Sequence, residues 1–256
     1  MILRRVIDHF RKQQWTAIAI DFVIVVAGVF VGIQVSNWND ARSNETIAAG
    51  HLSEIAEDLQ AHLDFNESLY GSALARIAAV DYIYDKAFGK ELPQTIRLST
   101  LSWDAPPTEP PSKDELGNIM GAVNLIRVTV SARNGYESLI SSGHLGLVRN
   151  RALARSIQQF YGRYDDLLNT GEVFRAFRND GARDFYRLGL SVFDERPVED
   201  VIALARADEG FAAYLRTTRE WAIVHAGLLE DLRVEAETLL AAIRQELQRI
   251  SRQPHD

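Results

Sequence analysis

The chain has 256 residues, 46% hydrophobic and 25% charged, which suits one membrane span plus one globular domain and excludes a disordered protein. A net charge of −7, with no large basic face, excludes general nucleic-acid binding. The absence of cysteine excludes disulfides and thiolate metal sites, so stability must come from packing.

Residues 1–14 carry Ile2, Leu3, Val6, Ile7 and Phe10 at helical spacing among Arg4, Arg5, Arg11 and Lys12. The pattern predicts a basic amphipathic stub lying in the cytoplasmic headgroup layer and too short for an output domain.

Residues 15–38 follow as a transmembrane helix. A bilayer core of about 30 Å needs roughly 20 apolar residues. Ala17 to Val35 supplies 19, interrupted only by Asp21 and Gln34. Trp15 and Trp38 lie about 34 Å apart along a helix, which places both indoles near the headgroup layers. Basic residues precede the span, whereas Asp40, Arg42 and Glu45 follow it. The N-terminus is therefore expected inside and residues 39–256 outside. Gln34-Val35-Ser36-Asn37 offers no small-x-small cleavage pattern, so the segment reads as an uncleaved anchor.

Asp21, Val25, Gly28, Gly32 and Ser36 form one stripe, in which Gly28 and Gly32 make a G-x-x-x-G. Membrane lipid and a second copy of the span are the partners this stripe implies. Asp21 is read as reaching headgroups or water, the competing reading being a partnered carboxylate within the membrane.

Beyond the span, Ile47, Leu52, Ile55, Leu59, Leu63, Tyr70, Leu74, Ile77, Tyr84 and Phe88 keep a period near 3.6. They predict a helix from about Asn44 to Phe88, weakened at Gly50 and Gly71 and stopped at Gly89. Asp40 to Glu67 holds seven acids against Arg42 alone, a solvated face. Residues 89–112 hold five of the seven prolines and read as a Pro-rich loop with an extended piece around Ile96–Trp103. Ser112 and Glu115 form a capping box opening a helix of a few turns. Val123–Val130 is β-branched but lacks a strong partner strand, so it is assigned as helical or irregular.

Ser131–Ser142 reads as a short helix closed by Gly143 in the left-handed conformation. Asn150 caps a long helix with Leu153, Ile157, Phe160, Tyr164, Leu167, Phe174, Phe177, Phe185 and Leu188 along one side and kinks at Gly171 and Gly181. Residues 150–190 hold seven arginines against five acids, which places them beside the acidic first helix. Pro197 and Glu199 open a short helix. Asp208 caps a last one reaching about Ile250, with Phe211, Leu215, Trp221, His225, Leu228, Leu232, Leu239, Ile243 and Leu247 in its stripe. The expected fold is all-α: one transmembrane helix followed by an elongated antiparallel helical bundle.

The membrane exit IQVSNWND (Ile33–Asp40) and the stretch YESLISSGHLGLVRNRALARSIQQFY (Tyr136–Tyr161) resemble an uncharacterised family of single-span bacterial envelope proteins. Its recurring elements match Asn37, Trp38, Tyr136, Leu139, Ser142, Gly143, Leu145, Asn150 and Tyr161. The resemblance implies an anchor in the bacterial inner membrane followed by a periplasmic helical domain, and it implies no activity.

Catalytic motifs are missing: no G-x-x-x-x-G-K-[ST], no G-x-S-x-G, no H-E-x-x-H and no Glu-x-x-His. The best metal candidate is His51, Asp58 and His62 on one helix edge with Glu54 nearby; the plainer reading is a polar border beside the apolar stripe. His144 after Ser141-Ser142-Gly143 invites a hydrolase reading, weighed against a simple helix stop. His225 reads as a core histidine. Phe160, Tyr161, Tyr164, Phe174 and Phe177 read as core, with a ligand pocket as the alternative. Together these features lead to a non-enzymatic envelope adaptor with a protein partner and no cofactor. The alternative is a small-molecule binding or sensing domain, its pocket lined by the arginines and aromatics of 150–190. A hydrolase comes third.

Overall fold

The computed structural model describes residues 15–124, 132–190 and 196–252, without the side chains of 15–18, 182 and 184–186. The predicted stub, Ser131 and most of Val123–Val130 lie outside the described residues, and so do the Trp15 indole and the Phe185 ring. The described residues are all-α apart from one small hairpin. We label α1 (Trp15–Phe88), β1 (Thr95–Leu98), β2 (Leu101–Asp104), α2 (Lys113–Gly117), α3 (Ile119–Asn124), α4 (Asn134–Ser141), α5 (Arg151–Arg187), α6 (Val198–Ala207) and α7 (Glu209–Ser251). A 3-10 turn, His144–Leu147, joins α4 to α5.

The largest departure from the sequence reading is at the membrane exit. The span and the first domain helix, expected as separate elements meeting near Asn44, are one helix of 74 residues. Nothing between Trp38 and Asn44 removes a backbone donor or favours a turn strongly enough to stop it. Gly50 and Gly71 do not interrupt it either. From Ile20 to Val35 its large apolar side chains are 49–68% exposed on every face. Burying each in an apolar medium gains about 1.5–3 kcal/mol. This is the one described helix long and apolar enough to cross a membrane, and it is compatible with an anchor.

Past Arg42, whose guanidinium lies over the Trp38 ring, α1 changes character. Its buried seam runs Ala48, Leu52, Ile55, Leu59, His62, Asn66, Leu69, Ala73, Arg76, Val80, Ile83. The steps alternate four and three, the 3.5-residue period of knobs-into-holes packing rather than a free 3.6. Ile47, assigned to the stripe from sequence, is exposed, and Leu63, Tyr70 and Leu74 are only half-buried. The seam instead takes in His62, Asn66 and Arg76.

Opposite this seam lies α7. Asn66 Nδ2 donates to the Leu229 carbonyl, Arg76 meets His225 and the Tyr84 hydroxyl donates to Ala212, so numbers rise on one helix as they fall on the other. Asp208 starts α7 by accepting from the Phe211 N–H at 2.8 Å, and Asn150 starts α5 by accepting from Leu153. The Ser112–Glu115 capping box forms, but α2 ends at Gly117 and α3 begins anew at Ile119.

Two cores result. The near core, beside the apolar half of α1, joins Leu52, Ile55, Leu59 and Leu69 of α1 to Leu139, Ile157, Phe160, Tyr161 and Leu167, and to Leu232, Leu239 and Ile243 of α7. The far core joins Val80 and Ile83 to Ile119, Val123, Val201, Ile202, Phe211 and Leu215. Gly135 brings α4 onto α1: a Cβ there would lie 2.6 Å from the Ile55 nitrogen. Gly181 does the same between α5 and α7, where a Cβ would meet the Tyr214 ring at 2.4 Å. Gly171 and Gly181, read as kink positions, do not interrupt α5, which is continuous through both. Within the Pro-rich stretch, β1 and β2 pair antiparallel with Ile96 opposite Trp103. Trp103 then covers Gly227 of α7.

Candidate functional site

Where the near core gives way to the far one, α1 and α7 bury two arginines, Arg76 and Arg219, each only 1% exposed. Arg219 is compensated. Its Nε lies 2.6 Å from Asp81 Oδ1 and its Nη1 donates to the Pro93 carbonyl. Burial holds the Asp81 carboxyl above its usual range, against the opposing pull of Arg219.

Arg76 is not compensated in the same way. Its Nη2 donates to His225 Nδ1 at 3.1 Å, its guanidinium sits 5.0 Å from the centre of the Phe174 ring, and its Nε has no partner. No carboxylate of the described residues pairs with it. Burial lowers its pKa to about 10, which leaves it charged. A guanidinium has only donors, so His225 must accept with a bare Nδ1 and carry its proton on Nε2. Burial, then the Arg76 charge, lowers His225 to about 4.

The walls are aromatic. Phe174 lies against Phe177 and Trp221, and Phe177 stacks on Tyr214 with centroids 5.4 Å apart. Tyr214 donates to Asn124 Oδ1, and its hydroxyl is pushed up to about 12 chiefly by burial. Thr218 Oγ1 approaches Tyr214 but completes no hydrogen bond of normal geometry. Removing a cation from water costs several kcal/mol even after relaxation. A desolvated cation–π contact returns about 2 kcal/mol and one charged hydrogen bond about 1.5–3 kcal/mol. These contacts offset part of the penalty and leave the positive charge itself unmatched.

The residues singled out from sequence sit elsewhere. Asp21, Gly28, Gly32 and Ser36 are exposed on the apolar half of α1, and nothing lies within 4 Å of a Cβ at either glycine. Trp38 carries Arg42 as noted. Tyr136 stacks on Tyr161 at 4.1 Å beneath Arg133. Gly143 has a φ of 72° and turns the chain into the 3-10 segment, while Asn150 caps α5.

The three metal candidates are drawn apart, and no cluster of three His, Asp or Glu able to hold a metal occurs among the described residues. His51 Nε2 lies 3.0 Å from His144 Nδ1. Asp58, raised by burial, accepts from the Gly135 N–H. His62, lowered to about 4 by burial, is wedged edge-on between Phe160 and Tyr164. Ser141 and Ser142 donate to the Ser138 carbonyl rather than to His144, so the nucleophile–base contact of the hydrolase reading is not formed. The pairing expected between α5 and the acidic first helix is replaced by Arg163–Glu235 on α7 and by Arg133–Asp165. Phe160, Tyr161, Tyr164 and Phe174 are buried in the core.

Sequence reasoning missed Arg76, Thr218 and Arg219. A heptad count carried through polar positions would have placed Arg76 on the α1 seam and Thr218, between Leu215 and Ala222, on that of α7; Arg219 carries no such cue. No protein-family model, curated protein or solved structure matches this chain.

Proposed function

We propose that the chain is a membrane-anchored, non-enzymatic interaction module of the bacterial cell envelope, an elongated antiparallel helical bundle standing in the periplasm. The observation that carries this reading is α1, which passes without a break from an apolar surface exposed on every side into the core of the domain. The N-terminus lies inside, on the strength of the basic stub and the acidic exit. The likeness of Ile33–Asp40 and Tyr136–Tyr161 to single-span envelope proteins supports the same placement. A groove of about 630 Å³ between α5 and α7, lined by Ser156, Gln159, Gly162, Arg163, Val234 and Thr238, offers an envelope protein a mixed surface. Membrane lipid is the other partner, and Gly28 and Gly32 leave the span open to a second copy.

Photocrosslinkers placed at Gln159 and Thr238 in intact cells test the adaptor. The same envelope protein should be captured from both positions and lost when Gly162→Trp fills the groove. Recovery of only background proteins overturns the reading. A reporter active only in the cytoplasm, fused after Asp256, should be silent. Association of the span should fall in Gly28→Ile and Gly32→Ile and persist in Val29→Ile.

A second reading, a binding or sensing domain, is favoured by one observation: the uncompensated Arg76. The cation comes from α1, not from the arginines of 150–190, although Phe174 and Phe177 of that segment do wall it.

A further inference from the structure

We propose that the Arg76 centre is a buried site for a small monovalent inorganic anion of the chloride or nitrate class. The inference does not depend on the adaptor reading. Arg76 is 1% exposed and permanently charged, and no carboxylate of the described residues pairs with it. Two donors are left over: its own Nε and the Thr218 hydroxyl, both buried without a hydrogen bond of normal geometry.

These groups belong to one layer of the fold. Thr218 and His225 are two turns apart on the same face of α7, and Arg76 reaches His225 from α1. Tyr214, one turn before Thr218, is acted on by both Arg76 and Thr218, and by the Arg178 charge from α5. His225 supplies a neutral acceptor to Nη2, and the Nε–H remains without one and available to an anion. The aromatic faces of Phe174, Phe177 and Trp221 keep the surroundings low in dielectric, where a matched charge pair is strong and a lone charge is costly.

The size of the occupant follows from burial. With Arg76 closed over by Phe174 and α7, a bulky organic acid could enter only by parting α1 from α7. A divalent oxyanion would bring one charge more than Arg76 supplies. Water could satisfy the Nε hydrogen bond but not the charge, so the two occupants differ in a measurable way: only an anion site responds to the kind of salt.

The full-length chain in detergent micelles is melted in sodium gluconate and in sodium chloride, nitrate or sulfate at constant ionic strength. Chloride and nitrate should raise Tm saturably over gluconate, and sulfate should not. Arg76→Met should abolish that rise. Thr218→Val should weaken the apparent affinity about tenfold, the loss of one hydrogen bond to a charged group. No anion-specific rise in the parent overturns the proposal, as does a rise kept in Arg76→Met, which would place the ion on the surface. Should Arg76→Met fail to fold, bromide anomalous scattering from crystals of the parent decides. A peak beside Arg76 Nε upholds the site, and its absence there removes it.

Discussion

The two ends of the helical domain are held together differently. At the end beside its apolar half, α1 meets α4, α5 and α7 through apolar side chains. Its ion pairs, such as Glu45 with Arg149 and Arg249, remain at the rim. Farther out, α1 and α7 each carry an arginine into the interior, Arg219 matched by Asp81 and Arg76 not. Apolar packing stabilises the near end, with neutral hydrogen bonds such as Asn66 to the Leu229 carbonyl. The far end also depends on how its charges are matched, so it should answer to ions and to charge substitution where the near end does not.

The largest effect should come from the near end. Leu139 is fully buried between α4 and α1, and Leu139→Ala should cost about 3 kcal/mol in urea unfolding of the full-length chain. A cost below about 1 kcal/mol would mean that α4 is an ornament on that core.

Next is Asp81→Asn, which leaves Arg219 without its carboxylate. Fully buried pairs lose about 3–5 kcal/mol when broken. The Asp81 side chain is 33% exposed, so solvent screening reduces the expected loss to about 2 kcal/mol. The chloride-specific rise that depends on Arg76 should remain in this variant, since Arg76 makes no pair with Asp81.

The third test uses acid. His62 at the near end and His225 at the far end are both lowered from 6.5 to about 4. The unfolded chain binds these protons first, so their contribution is complete above pH 6.5 and declines as pH falls toward about 4. His62→Leu should remove one proton's share of that slope, making the variant relatively more acid-resistant by about 1–2 kcal/mol at pH 5. The far-end share should remain. An unchanged slope would show that His62 is hydrated.

Smallest is Asn150→Ala, which deletes the α5 cap and should cost about 1 kcal/mol. As a rim substitution it should not alter the response to either acid or anions.

What the sequence made legible was local. The apolar run of the span, the caps at Ser112, Asn150 and Asp208, and the left-handed turn at Gly143 each depend on residues a few positions apart. What stayed hidden depends on distant partners. Asn66 bonds a carbonyl 163 residues away and Arg76 an imidazole 149 residues away. An apolar periodicity passes over such positions, because Asn, Arg and Thr on a seam look like solvent-facing residues until the opposing helix is known. The hairpin was half legible: the extended piece around Ile96–Trp103 is there, but both its strands lie within the stretch assigned to a loop. Gly181 reads from sequence as a kink and Gly135 carries no local signal, although their lack of a side chain admits α1 and Tyr214.

The unbroken α1 also makes the domain a rigid lever. Residues 39–88 extend about 75 Å beyond the span at 1.5 Å per residue. Spans commonly lean by about 20° to fit the hydrocarbon thickness, which would swing the far tip sideways by about 25 Å. In the anchored module proposed above, a helix unbroken past the span would pass the tilt and axial rotation of its anchor on to the bundle. Membrane thickness, or a neighbour that turns the span, would then set where the outer end points and how far its surfaces reach.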